Sequence, residues 1–232
     1  MRALLVGFAA LAVLPVAIAD AVGDTASVEA ELETLPVWEP AGGEVIAFDV
    51  LRKGKPFGTH IVSFERAEDG ALTVTNDIDL QVKIGPITAY RYRHDSVETW
   101  EDGQLVGLTG DTRKEGDDLV ISAVAEGEAI NVAGTNYTGA VASDVIPSSH
   151  WHSGEVFAEA VLSSEGGQLL DIRVENLGVE TLTIEDEAVE ATRFRLYSDI
   201  TFDLWYDAEG RWVKCAFEAR GQEIRYVLKD LY

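Results

Sequence analysis

Leu72-Thr-Val-Thr-Asn-Asp-Ile-Asp-Leu-Gln-Val-Lys-Ile84 is the stretch that decides the fold. Ile78, Leu80, Val82 and Ile84 alternate with Asp77, Asp79, Gln81 and Lys83. Successive side chains of a strand point to opposite faces, so this run is a β-strand with one dry and one wet face. Gly85-Pro86 breaks it, because proline carries no N–H for the ladder and glycine favours a turn.

The same pattern extends in both directions. Upstream, Val45 to Arg52 and Phe57 to Arg66 read as strands joined across Lys53-Gly-Lys-Pro56, and Glu68-Asp-Gly70 turns the chain into the decisive run. Downstream, Thr88 to Glu101 reaches Asp102-Gly103, a strong hairpin signal. Gln104 to Arg113, Leu119 to Ala125 and Ala129 to Ala133 follow. A long connection from Ala142 to about Ala160 holds Pro147, Ser148, Ser149, His150, Trp151 and His152, and Glu155 to Leu162 is the place for one short helix. Strands resume at Gln168 to Asn176, Val179 to Ile184, Ala188 to Tyr197, Ile200 to Tyr206, Arg211 to Ala219 and Gln222 to Lys229. About a dozen short strands without alternating helices predict an all-β antiparallel meander, a strongly curved sheet, barrel or half-barrel.

The chain divides into three parts. Met1-Arg2, an uncharged run from Ala3 to Ala19 and Ala17-Ile-Ala19 before Asp20 have the charge order and small cleavage-site residues of a signal peptide, residues 1–19. The run is short of the ~20 apolar residues of a spanning helix and no basic cluster follows it. Export to the periplasm, with no membrane segment after cleavage, is therefore expected. Residues 20–43 lack periodicity and carry Pro36 and Pro40 around Trp38, which suggests a poorly ordered lead-in able to dock through that ring. Residues 44–232 form the single β domain.

Charge narrows the partners. The sequence has 41 Asp plus Glu against 18 Lys plus Arg, a net charge of −23. Such a polyanion repels phosphate backbones, so nucleic acid is excluded as a partner. Cys215 is the single cysteine, which rules out an internal disulfide and leaves stability to the core.

Catalytic signatures such as G-x-S-x-G, H-E-x-x-H, a phosphate-binding glycine loop or C-x-x-C are missing, and no cofactor is implied. Three groups of residues remain. His150 and His152 flank Trp151, and on a strand both imidazoles would share a face, yet a metal needs a third ligand that the local sequence does not supply. In the strand from Thr88, Tyr90, Tyr92 and His94 share one face with Glu98 and Trp100, while Arg91, Arg93 and Asp95 occupy the other, where the arginines pair with carboxylates. Trp205 and Tyr206, with Phe202 and Trp212, gather large rings around a turn. Aromatic rings along a strand face line either a core or a ligand cavity.

Phe48-Asp-Val50 with Gly54 and Gly58, Tyr90-Arg-Tyr-Arg-His94 with Glu98, Trp100, Asp102-Gly103 and Leu105, Thr112, Pro147-x-Ser149-x-Trp151, Leu169-Leu-Asp171, Arg193-Phe-Arg-Leu196, Leu204-Trp-Tyr-Asp207 and Trp212-Val213 stand in an order and spacing that spans Val45 to Leu228. In these the chain resembles an uncharacterised family of secreted bacterial β proteins, a domain of unknown function of Gram-negative envelopes. His152 departs from the asparagine expected after the tryptophan of P-x-S-x-W, which weakens a two-histidine metal site. The resemblance carries no activity. More distantly, the chain is similar in fold to curved-sheet envelope proteins that hold lipids or lipoprotein chains.

The leading expectation is non-enzymatic binding of a lipid or other amphipathic small molecule, or of an envelope protein, with Tyr90, Tyr92, His94, Trp100, His150, Trp151, Trp205 and Tyr206 as candidate contacts. The alternative is a hydrolase acting on envelope polymers through His94 or His150 and nearby carboxylates. Expressed in full in a Gram-negative host, the recovered protein is expected to begin at Asp20 by N-terminal sequencing. A product beginning at Met1 would contradict export.

Overall fold

The computed structural model describes residues 35–230; the signal-peptide expectation lies outside them. Fifteen strands follow in chain order: β1 (Val45–Arg52), β2 (Lys55–Arg66), β3 (Leu72–Ile84), β4 (Ile87–Glu101), β5 (Gln104–Lys114), β6 (Asp117–Glu126), β7 (Ala129–Gly134), β8 (Thr138–Ala142), β9 (Ala160–Leu162), β10 (Leu169–Asp171), β11 (Arg173–Ile184), β12 (Glu187–Tyr197), β13 (Thr201–Asp207), β14 (Trp212–Ala219) and β15 (Gln222–Asp230). Thirteen form one antiparallel sheet in the order β11-β12-β13-β14-β15-β1-β2-β3-β4-β5-β6-β7-β8, and β9 pairs with β10 apart from it. The sheet is a meander whose halves join where β15 lies beside β1. Its end strands β8 and β11 do not pair with each other, so the barrel stays open.

Alternation decides which face is inside. Phe48 and Val50 of β1, Val62 and Phe64 of β2, Val74 and Leu80 of β3, Leu204 and Tyr206 of β13, and Ile224 and Leu228 of β15 are all buried. The opposite face carries ion pairs such as Arg91–Asp79 at 3.3 Å and Arg93–Asp95 at 2.8 Å. One face dry and one face wet is the ordinary economy of an antiparallel sheet.

The long connection between β8 and β11 closes the concave side. Its helical turn is a 3-10 turn at Ser153–Phe157, capped by the His152 ring, which accepts from the Gly154 N–H. The expected helix from Glu155 to Leu162 is thus corrected. Val161 and Leu162 instead pair with Leu170 and Leu169, which suits β-branched and leucine side chains packed against a sheet. Two further expectations shift. Residues 168–184 break at Ile172 and then run unbroken through Asn176 and Val179 with an irregular register, and Thr138–Ala142 is an additional strand that its Gly139 and small residues hide.

Of the lead-in, residues 35–43 form no strand but are fastened. Trp38 stands edge-on to Phe64 with centroids 4.9 Å apart, the Ser153 hydroxyl donates to the Pro36 carbonyl at 2.7 Å, and Arg66 donates to the Pro40 carbonyl. Trp38 therefore docks as the sequence suggests.

Two glycines let the connection touch the sheet. A Cβ on Gly110 of β5 would stand 2.4 Å from the Ser164 carbonyl oxygen, and one on Gly134 of β7 2.4 Å from that of Gly166. Gly110→Ala is expected to lower stability by about 1–3 kcal/mol, read as a reduced urea midpoint at unchanged slope. An unchanged midpoint would mean that the connection does not lie on the sheet.

Candidate functional site

The connection is held across the concave face by two buried carboxylates. Glu98 of β4, fully buried, accepts the Trp100 and Trp151 indole N–H groups, both at 2.9 Å, and the Asn76 amide at 3.5 Å. Burial raises the Glu98 pKa, and these N–H donors oppose the rise. Glu155 of the 3-10 turn lies 3.1 Å from His150 Nδ1. It also meets the Tyr206 hydroxyl of β13 at 2.7 Å, while that hydroxyl stands 2.8 Å from the His150 carbonyl oxygen. One carboxylate ties the connection to the half of the sheet that ends in β8, the other to the half that ends in β11.

Between these anchors lies a cavity of about 390 Å³. Its apolar lining includes Ile78, Leu80, Tyr90, Phe217 and Tyr226, and its polar inner wall is made by His60, Asn76, His94, Ser149 and His150, with Ile78 opposite both His60 and His94. The exposed residues Lys114, Asp199 and Ile200 stand at its rim. This volume is within the ~300–1,000 Å³ of small-molecule sites, and apolar walls with a few convergent polar groups are their usual lining.

The inner wall has an unusual feature. Neither ring nitrogen of His60 has a hydrogen-bond partner among the described residues, nor do Asn76 Oδ1 and Ser149 Oγ, although these residues are only 3%, 2% and 5% exposed. Phe48, Trp212 and Tyr226 surround the His60 ring. Asn76 sits near enough to oppose the change in His60 basicity but is not in bonding geometry. A buried polar atom without a partner costs about 1–3 kcal/mol, so in a native protein each such atom calls for an explanation.

His94 is differently placed. Its Nδ1 lies 2.7 Å from Thr112 Oγ1 and its Nε2 3.3 Å from Ser164 Oγ. Burial lowers its pKa, with Glu165 opposing.

Of the eight residues singled out in the sequence, the cavity brings together Tyr90, Tyr92, His94 and His150. Trp100 and Trp151 lie instead around Glu98, on the edge of a second cavity of about 530 Å³ beneath the lead-in. Tyr206 is buried as an anchor. Trp205 is on the outer face, its indole donating to Glu180 at 2.9 Å and its ring covered by Arg193 and Lys214. Neighbours along β13 point to opposite faces, so Trp205 and Tyr206 cannot serve one site.

His150 and His152 also part company. His150 has positive φ, 66°, and joins Glu155, whereas His152 stacks on Trp100 at 4.9 Å. No cluster of three or more His, Cys, Asp and Glu suited to a metal occurs among the described residues.

The residues that sequence reasoning overlooked are His60 and Asn76. Parity could have found them: His60 shares its face with Val62 and Phe64, and Asn76 with Val74 and Ile78. A polar residue in a core position of a strand is the signal.

Fold and cavity together define an open, barrel-like antiparallel β protein with a cavity on its concave side. The chain belongs to the family described as Domain of unknown function (DUF6134), whose model matches residues 48–229. It is similar to the crystal structure of a beta-barrel-like protein of domain of unknown function DUF1849 from Brucella abortus, with a TM-score of 0.58 and 9% identity over 82% of this chain and 98% of that one. At that identity the likeness speaks for the fold. No curated protein matches it in sequence.

Burial draws the His60 pKa from 6.5 to about 3, and His150 and His94 add to the shift. The folded protein thus keeps His60 neutral while the unfolded chain takes up a proton below 6.5. This contribution to stability is whole above 6.5 and is lost as pH falls toward 3. Thermal unfolding of His60→Phe is expected to lose less with acidification across that interval than the unaltered protein, by on the order of a few kcal/mol. Parallel curves would contradict a buried neutral imidazole.

Proposed function

We propose that this protein is a non-enzymatic carrier or sensor of the periplasm that holds one amphipathic small molecule in the cavity between the concave sheet and the connection. The observation that carries this reading is His60, a buried imidazole on the cavity wall with neither nitrogen partnered among the described residues. The mixed polar and apolar lining suits the two parts of such a molecule. A chamber of about 390 Å³ suits a single alkyl chain better than a two-chain lipid. The strong negative charge of the chain argues against adsorption to anionic headgroup surfaces and for uptake of single molecules.

A hydrolase is the second reading, favoured by the contact of His150 with Glu155 at the cavity wall. It fits less well. The hydroxyl next to His94 Nε2 is that of Ser164, which does not line the cavity, and the other nitrogen of His94 meets a threonine hydroxyl rather than a carboxylate.

Ala219 lines the cavity at the end of β14, so Ala219→Trp fills it without touching the polar wall. Native mass spectrometry of protein purified without detergent is expected to show one small-molecule adduct that is absent from Ala219→Trp. Unmodified mass in both proteins, with no uptake of an environment-sensitive apolar dye, would overturn the binding reading. Turnover of an acyl ester abolished by His150→Ala would replace it with the hydrolase.

A further inference from the structure

Resting on the cavity reading, we propose that the inner wall selects an uncharged, hydroxyl-bearing headgroup of the monoacylglycerol kind over an anionic or cationic head on the same chain. The polar atoms of the wall set what it can donate and accept. A neutral imidazole carries one N–H and one lone pair, an amide oxygen accepts, and a serine hydroxyl does both. Asn76 is close to His60 and Ser149 to Glu98, so a small rotation of each could satisfy some of these atoms. Neither nitrogen of His60 has a partner among the described residues, and where the ring does not face the cavity it meets the aromatic rings of Phe48, Trp212 and Tyr226. Whatever enters must meet a donor and an acceptor within one small space.

Charge then discriminates. Apart from the histidines, the charged residues on the described lining are Lys114, Glu165 and Asp199. Lys114 Nζ is 3.6 Å from Glu165 Oε2, and the Tyr92 hydroxyl donates to that same carboxylate at 2.8 Å. The inner wall therefore offers no fixed cation to an anionic head. Behind it stands Glu98, which takes the Asn76 amide at 3.5 Å, and a carboxylate or phosphate placed there would face that group without compensation. A quaternary ammonium head fails for the opposite reason: it has no lone pair for the imidazole N–H and no hydrogen for the lone pairs of His60 and Asn76. A hydroxyl both donates and accepts, and two on adjacent carbons span the pair of orphaned groups.

The test uses three probes of one chain length: monolauroylglycerol, laurate and dodecyltrimethylammonium, measured by displacement of a fluorescent dye from the full mature protein at neutral pH and below micelle formation. Monolauroylglycerol is expected to bind at least about tenfold more tightly than either charged probe, the equivalent of one lost or unpaired polar contact. His60→Phe should weaken monolauroylglycerol by about tenfold and erase the preference. The same variant should raise the thermal midpoint, because it removes orphaned nitrogens while keeping a planar ring. A merely structural histidine would lower the midpoint instead. Equal or tighter binding of laurate or of dodecyltrimethylammonium overturns the headgroup inference and leaves the cavity reading standing. If none of the three probes displaces the dye, both the inference and the cavity reading fall. The comparison of probes on the unaltered protein decides the matter even if His60→Phe fails to fold.

Discussion

The carboxylate of Glu98, fully buried and held by two indole N–H groups, is the contact on which the rest of the structure depends. A charge-bearing group so deeply buried is tolerated only where donors surround it, and Trp100 on its own strand is not enough. Trp151 is the donor that comes from the connection, so satisfying Glu98 draws the connection onto β4. Glu155 repeats the device from the other side, where Tyr206 of β13 meets it. An open sheet of thirteen strands thereby gains a strap across its concavity in place of the hydrogen bonds that would close a barrel.

That solution has a consequence for the interior. Strand-to-strand closure brings side chains from all around a barrel toward its axis, whereas a strap pinned at two points leaves space between its anchors. The chamber lies there, bounded by β2, β3 and β4 on one side and β13, β14 and β15 on the other. Its polar groups are not scattered. His60, Asn76 and His94 stand on the neighbouring strands β2, β3 and β4, with Ile78 opposite both histidines, so the polar band is interrupted by one apolar side chain. Part of that band is satisfied, as His94 is by Thr112, and part is not. A structure selected for stability alone would fill the unsatisfied part with hydrocarbon, which is neutral or favourable when both partners are replaced.

The fold was legible because strand parity and turn residues are local. Leu72 to Ile84 and Val45 to Arg52 appear in the structure with those same limits, and the inward set from Tyr90 through Trp100 follows from counting by two. The connection was not legible, since its shape comes from contacts distant in sequence: Trp151 with Glu98, Glu155 with Tyr206, and the Ser164 and Gly166 carbonyls against Gly110 and Gly134. Trp205 shows the limit of composition. Its ring is as large as its neighbour's, but it lies on the outer face under Arg193 and Lys214, and parity would have separated it from Tyr206. His60 was passed over because a lone histidine in an apolar strand draws less notice than the pair around Trp151.

The central claim is that His60 is kept neutral, and without a partner among the described residues, on the wall of a ligand chamber, and nitrogen NMR of the histidine side chains addresses it most directly. With labelled imidazoles, His60 should show a neutral tautomer well below the pH at which an ordinary histidine titrates, and its ring nitrogens should shift on addition of a ligand that enters the chamber. A His60 that titrates near 6.5, or whose nitrogens stay unmoved while ligand binds, would contradict the account.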